Sequence, residues 1–192
     1  MMTESSPSRV LLMLSAALFL LAAAIVAYSL GTRSGGVPTS QAPGPPVARR
    51  AAPDFSLRSL RGPERISLAD YRGKVVVLNF FASWCGPCDL EAADLERVWQ
   101  ATRGRDVVFL GVAIQDEYDK ARAFLTRHGT TYPAVIDETG DVMAAYRVTA
   151  IPTTFFITPN GTIMGSHAGI FVGDEGAARL TERIERARGT GR

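Results

Sequence analysis

A nearly unbroken apolar run, Lys74–Phe81 (KVVVLNFF), leads almost directly into Trp84-Cys85-Gly86-Pro87-Cys88, and from Pro87 to Thr102 the apolar residues return at helical spacing. A short run without alternation suits a strand covered on both faces. In the segment that follows, Cys88, Ala92, Leu95, Val98 or Trp99, and Thr102 fall on one helical face. The two cysteines, the only ones in the chain, therefore sit where a buried strand turns into a helix.

The remaining pattern extends this strand–helix theme. Asp106–Ile114 (DVVFLGVAI) reads as a second buried strand, and Glu117–His128 as an amphipathic helix with Asp116 placed as its cap. Tyr132–Asp137 reads as a short strand and Asp141–Tyr146 as a short helix. Thr153–Thr158 and Thr162–Ala168 flank Pro159-Asn160-Gly161, whose Asn-Gly pair marks a tight hairpin turn. Asp174–Arg188 closes the chain as a helix with a polar face, and Ser67 with Asp70 forms a capping pair for a brief turn before Gly73. Strands alternating with helices, then a hairpin and a helix, imply an α/β class with a mixed central sheet flanked by helices.

The 192 residues suit one domain with additional segments. Val10–Leu30 is uncharged and, as a helix, would extend about 30 Å, the thickness of a bilayer's hydrocarbon core. We read it as an uncleaved signal anchor. The alternative is a cleaved signal peptide, with Ala27-Tyr28-Ser29 as a small-x-small site, but the run is longer than such peptides usually carry. Arg9 on one side is matched by Arg33 on the other, so charge does not orient the span. Gly31–Arg50 is rich in Gly, Pro and Ser and reads as a linker spanning about 25 Å on average. The organisation expected is a tail over 1–9, a transmembrane signal anchor over 10–30, a linker over 31–51 and a folded domain over 52–192. The net charge of +2 derives from the N-terminal arginines, and no basic stripe is present to follow a phosphate backbone; nucleic-acid binding is not indicated.

The placement of the cysteines suggests their chemistry. At a helix N-terminus, unpaired backbone N–H groups and the helix dipole favour a thiolate, so Cys85 is expected to have a depressed pKa and to attack. Cys88, one turn further on the apolar stripe, is expected to be shielded and to resolve. A structural bridge closing a loop of about four residues would contribute only about 2 kcal/mol, against about 4.7 kcal/mol for a hundred-residue loop. A zinc site would need further ligands, and His128 and His167 show no ligand spacing. Neither a metal nor a cofactor is expected. Glu91 lies three residues after Cys88 on the same face; if buried, its pKa rises and it can accept the Cys88 proton, the alternative being a surface carboxylate complementing the dipole, as for Asp89.

Trp84-Cys85-Gly86-Pro87-Cys88 resembles the thioredoxin active site. With Ala52-Pro53-Asp54-Phe55, Gly73-Lys74 before VVVLNFFAS, and Thr149-Ala150-Ile151-Pro152-Thr153-Thr154, the chain resembles the TlpA/ResA/CcmG group of membrane-anchored, thioredoxin-like proteins over about Ala52 to Arg188. The resemblance implies a thioredoxin-like fold with an N-terminal extension, a central helical insertion over Gln115–Asp137 and a preceding transmembrane helix. It further implies that Pro152 is a cis proline facing the disulfide, with the Ile151 backbone offered as an edge to an extended substrate segment. Trp84 would flank the disulfide as an apolar docking surface, with a core tryptophan as the alternative, and Glu91 would match the Glu of ResA-like proteins. Plain thioredoxins carry a buried Asp where this chain has Asn79, so that proton route is absent.

The function implied is a thiol–disulfide oxidoreductase in the bacterial cytoplasmic membrane, its domain facing outside the cytoplasm. Its electrons would come from a CcdA- or DsbD-like membrane thiol transporter, and its client would be a specific protein disulfide such as that of apocytochrome c. Alternatives are a DsbA-like disulfide donor, which commonly has a larger helical insertion, and an SCO-like copper chaperone using both cysteines and His167, which usually spaces its cysteines by three residues. A peroxiredoxin fits the Ala-Pro-Asp-Phe opening, but Leu78 stands where its active-site proline would be.

Overall fold

The computed structural model describes residues 50–189. Two strands at its centre, β4 (Val75–Phe81) and β5 (Val107–Ile114), lie parallel with Val75 opposite Val107, and every residue in both is buried. Covering on both faces is what their unbroken apolar character required. Around them the sheet has eight strands in the order β1-β8-β7-β4-β5-β6-β2-β3. The flanking strands are β1 (Arg50–Ala51), β2 (Ser56–Ser59), β3 (Arg65–Ser67), β6 (Ala134–Asp137), β7 (Thr153–Ile157) and β8 (Thr162–Ala168). Only the β4–β5 and β5–β6 pairs are parallel. Among the described residues the α-helices are α1 (Gly86–Thr102), α2 (Tyr118–Arg127), α3 (Asp141–Tyr146) and α4 (Gly173–Gly189), with a 3-10 turn over Leu68–Tyr71.

Strand alternation divides the core into two layers. Val75, Val77, Val107 and Phe109 face Leu95 and Val98 of α1 and Leu180 and Ile184 of α4. At the end of the same face, Phe81, Ala82, Ala113 and Ile136 pack with both cysteines and with Ala121, Phe124 and Leu125 of α2. On the opposite face, Val76, Leu78, Phe80, Leu110 and Val112 meet Val142 and Tyr146 of α3 and Phe55 and Leu68 from the N-terminal segment. Tyr146 is fully covered by Phe80 and Phe155, and its hydroxyl donates to the Pro53 carbonyl at 2.9 Å, tying the N-terminal segment to α3.

The central insertion is more than a helix. After α2 it contributes β6, which extends the sheet beyond β5 and gives β2 an antiparallel partner. Asp137, at the end of β6, is 2% exposed and accepts the Gly140 and Met143 N–H groups at 3.1 and 2.8 Å, so a strand residue caps α3.

Four local expectations are resolved. Arg50–Ala51, read as the end of the linker, form the edge strand β1 on β8, opposite Ile163 and Thr162. The tight hairpin turn expected at Pro159-Asn160-Gly161 joins β7 to β8. Thr158 N–H bonds to the Thr162 carbonyl and Gly161 N–H to the Thr158 carbonyl, closing a three-residue loop with Gly161 at φ +81°. That left-handed position takes glycine without steric cost. Asp70 accepts the Ser67 N–H at 2.8 Å, so that capping contact is present. Asp116 does not cap α2 in the expected way, the N-cap being Glu117. The apolar run Val10–Leu30 lies outside the described residues, among which no helix is long and apolar enough to cross a membrane.

Gly111 on β5 shows how tightly β4 and the insertion pack around it: a Cβ there would lie 3.2 Å from the Phe81 ring and 3.3 Å from the Ala134 Cβ. We expect Gly111→Val to destabilise the fold by about 1–3 kcal/mol through overpacking. The midpoint of urea unfolding would check this, and an unshifted midpoint would show that this contact is loose.

Candidate active site

The site forms where β4 ends and α1 begins. Cys85 is the N-cap of α1 with extended backbone (φ −86°, ψ 102°), and Pro87 occupies the first turn, where its missing N–H costs nothing. The Cys88 N–H points at Cys85 Sγ at 3.2 Å while also reaching the Cys85 carbonyl at 3.0 Å. In the reduced protein a thiolate at this position receives an N–H and the positive end of the helix dipole, which lowers a thiol pKa. The structure holds the two cysteines as a disulfide. Cys88 is sheltered at 2% exposure, and Cys85 is covered as well at 4%, because Leu60, Ala92 and α2 residues close around the pair.

The turn before the disulfide is clamped by the start of the insertion. Asp116 takes the Ser83 N–H at 2.5 Å and the Ser83 hydroxyl at 2.7 Å, besides the Glu117 N–H at 2.8 Å. The N-cap of α2 is Glu117, without a side-chain bond. The carboxylate that the local pattern assigned to α2 is therefore largely spent on the active-site turn. Next to it, Gln115 has φ +49° and its carbonyl accepts the Trp84 indole N–H at 2.9 Å. Trp84 is 61% exposed, which removes the core alternative and leaves an oriented apolar surface beside the cysteines. Trp84 borders a cleft of about 310 Å³ shared with Asp116, Lys120 and Glu138.

On the other side lies the segment before β7. The Ile151–Pro152 peptide bond is cis. Ile151 packs against the cluster that contains both cysteines. The Pro152 carbonyl accepts the Gly169 N–H at 2.9 Å, and the Thr153 hydroxyl donates to the Ala150 carbonyl at 2.7 Å. Both bonds hold this turn from behind.

Glu91 is the least exposed carboxylate of the site at 1%. Its Oε1 accepts from Asn79 Nδ2 at 2.9 Å and its Oε2 from the Phe171 N–H at 3.1 Å; the same Asn79 amide donates to Thr154 Oγ1 at 3.1 Å. Burial pushes the Glu91 carboxyl up to about 7, against the opposing pull of the Phe171 and Asn79 hydrogen bonds. The register explains the cluster. Gly111, Asn79, Thr154 and His167 are successive cross-strand neighbours on β5, β4, β7 and β8, a row running beneath α1. The sequence singled out Glu91 and noted Asn79 as a replacement, but gave no sign that Thr154 and the Phe171 backbone join them, since those contacts span the whole domain. His167, weighed as a copper ligand, packs its ring 4.4 Å from Phe171. Among the described residues no three His, Cys, Asp or Glu side chains gather to hold a metal ion.

A buried strand–helix junction carries the disulfide, with a cis-proline turn packed near it and a buried Glu one helical turn beyond the second cysteine. Residues 48–166 match the AhpC/TSA family. The chain belongs to that family. It is 36% identical over 152 residues to the thiol-disulfide oxidoreductase ResA of Geobacillus kaustophilus, covering 79% of this chain and 84% of that protein. It is 37% identical over 131 residues to the thioredoxin-like protein YneN of Bacillus subtilis, covering 67% and 76%. A crystal structure of a thiol:disulfide interchange protein DsbE of Chlorobium tepidum superposes with a TM-score of 0.66 at 27% identity, covering 72% of this chain and 96% of that one. The chain is a thioredoxin-like thiol-disulfide oxidoreductase of the ResA/DsbE type.

Glu91 makes stability depend on pH in a definite direction. Its folded pKa of about 7 lies above the ordinary 4.5. Between those values the folded protein keeps a proton that the unfolded chain has released. The stabilisation is complete below about pH 4.5 and lost as pH rises through about 7, to a limit of about 3 kcal/mol. Urea titrations should show Glu91→Gln gaining on the wild type by up to that amount between pH 4.5 and 8. Parallel stability curves for the two proteins would mean that Glu91 does not titrate there.

Proposed function

We propose that this oxidoreductase is tethered to the bacterial cytoplasmic membrane by residues 10–30, faces outside the cytoplasm and reduces a specific client disulfide, such as that of apocytochrome c. The observation that carries the reading is Glu91, a carboxylate closed off from water one helical turn beyond Cys88, with a pKa near the working pH. Reduction of a client asks Cys88 to lose its proton after Cys85 is already engaged, and a base near neutrality beneath Cys88 suits that step.

The Cys85 thiolate attacks one sulfur of the client disulfide; a mixed disulfide forms and the client's other sulfur leaves as a thiolate. The Cys88 thiol passes its proton to Glu91, and its sulfur attacks Cys85 Sγ. The Cys85–Cys88 disulfide forms and the second client sulfur is released. Two electrons have moved from this chain to the client. A membrane thiol transporter of the CcdA or DsbD kind would restore the dithiol. Trp84 and the Ile151–Pro152 turn flank the sulfurs and would receive the client segment, Trp84 by apolar contact and Ile151 through its backbone. The Gly-Pro pair between the cysteines is that of thioredoxin, a reductant at about −270 mV, which supports the reducing direction.

Replacing Cys88 with Ser in cells stops the sequence at the mixed disulfide. Proteins trapped on Cys85 should be few and include an apocytochrome c and a CcdA-like membrane protein. Capture of many unrelated secreted proteins would instead identify a disulfide donor.

A further inference from the structure

The far end of the insertion also reaches the active-site helix. Asp89, directly after Cys88, has its Oδ1 held by Arg127 Nη2 and His128 Nε2, each at 2.7 Å. These basic residues end α2, so the insertion grips the site at both of its ends, through Asp116 on Ser83 and through Arg127 and His128 on Asp89. The grip is supported from below. The His128 ring lies 4.5 Å from Phe124, the Arg127 guanidinium 5.3 Å from the same ring, and Phe124 stacks on Phe81 at 5.1 Å, where β4 ends.

Asp89 is four residues after Cys85, and its N–H bonds to the Cys85 carbonyl at 3.2 Å, so the two lie on the same face of the first helical turn. A carboxylate there repels a thiolate at Cys85 and competes with it for the same helix end. We propose that Arg127 is a positioning residue that sets the nucleophilicity of Cys85 by neutralising Asp89, with His128 held against the same carboxylate oxygen. Other charged groups near this end have partners of their own, Glu138 pairing with Arg58 at 3.7 Å. Glu91 is turned inward on Asn79 and Phe171, Asp116 is held by Ser83, and Glu117 pairs with Lys120 at 2.7 Å.

The size of the effect follows from exposure. Asp89 and Arg127 side chains are 41% and 53% exposed, so solvent screens them, and the change in thiolate fraction near neutral pH is about threefold rather than a hundredfold. The inference rests on Cys85 being the attacking thiol, and the test separates the two. In the full chain carrying Cys88→Ser, the rate of alkylation by iodoacetamide is followed against pH. Arg127→Gln should move the Cys85 midpoint up and slow alkylation near neutral pH about threefold, Arg127→Lys should restore most of it, and Asp89→Asn should move the midpoint down and abolish the effect of Arg127→Gln. Thermal melting confirms that each variant is folded. If Arg127→Gln does not fold, Asp89→Asn decides alone. A midpoint unmoved by either folded variant overturns the inference, while a Cys85 inert near neutral pH in the parent overturns the redox reading itself.

Discussion

A carboxylate enclosed between α1 and the central sheet sets the terms for the rest of the site. Glu91 is 1% exposed, and an ionised group removed from water to that degree is sustained only by partners placed for it. Each of its oxygens has one donor, the Asn79 amide on β4 and the Phe171 N–H just before α4. Asn79 is fixed in turn by the Thr154 hydroxyl on β7. A displaced α1, a slipped β4–β7 register or a moved Phe171 segment would each leave a buried polar group without its partner. The proton on Glu91 therefore depends on how the whole domain closes. Donors on both oxygens suit the charged form and burial suits the neutral one, and their opposition leaves the group near 7.

The same economy governs the sulfurs. The fold supplies a helix end to Cys85 at no cost beyond forming α1, and the apolar stripe of that helix carries Cys88 under cover. What the fold does not supply by default is a fixed orientation for the turn ahead of Cys85, since β4 ends at Phe81 and α1 begins at Gly86. The insertion fills this gap. Asp116 ties down Ser83 and the Gln115 carbonyl ties down the Trp84 indole, so the exposed tryptophan is presented in one attitude. An apolar surface held in this way loses little side-chain entropy when a partner covers it.

Much of this was legible in the sequence where the signal was local. The unbroken runs of β4 and β5, the periodicity of α1, and α3 over Asp141–Tyr146 all appear where their patterns put them. The misreadings occur where a short polar residue has two choices of partner. Asp116 had the spacing of a helix cap, yet Ser83, 33 residues earlier, takes most of its carboxylate. Arg50 and Ala51 looked like linker because two residues carry no periodicity; only their place beside β8 makes them a strand. The Asn79–Thr154 contact was equally out of reach, since it needs the β4–β7 register, which no local pattern encodes.

That register also explains why Asn79 is compatible with Glu91 where an aspartate would not be. The two side chains meet at 2.9 Å, and two carboxyls at that distance in a buried site could not both ionise; they would share a proton and titrate as a coupled pair. Asn79 removes one titrating group and converts its position into a donor. Glu91 is then left as a single carboxyl, with its pKa near 7 instead of displaced further by a like charge. An amide also donates whatever the protonation state of Glu91, and Asn79 donates to Thr154 as well. An amide at Asn79 is thus the condition for a lone Glu91 carboxyl with a pKa near 7.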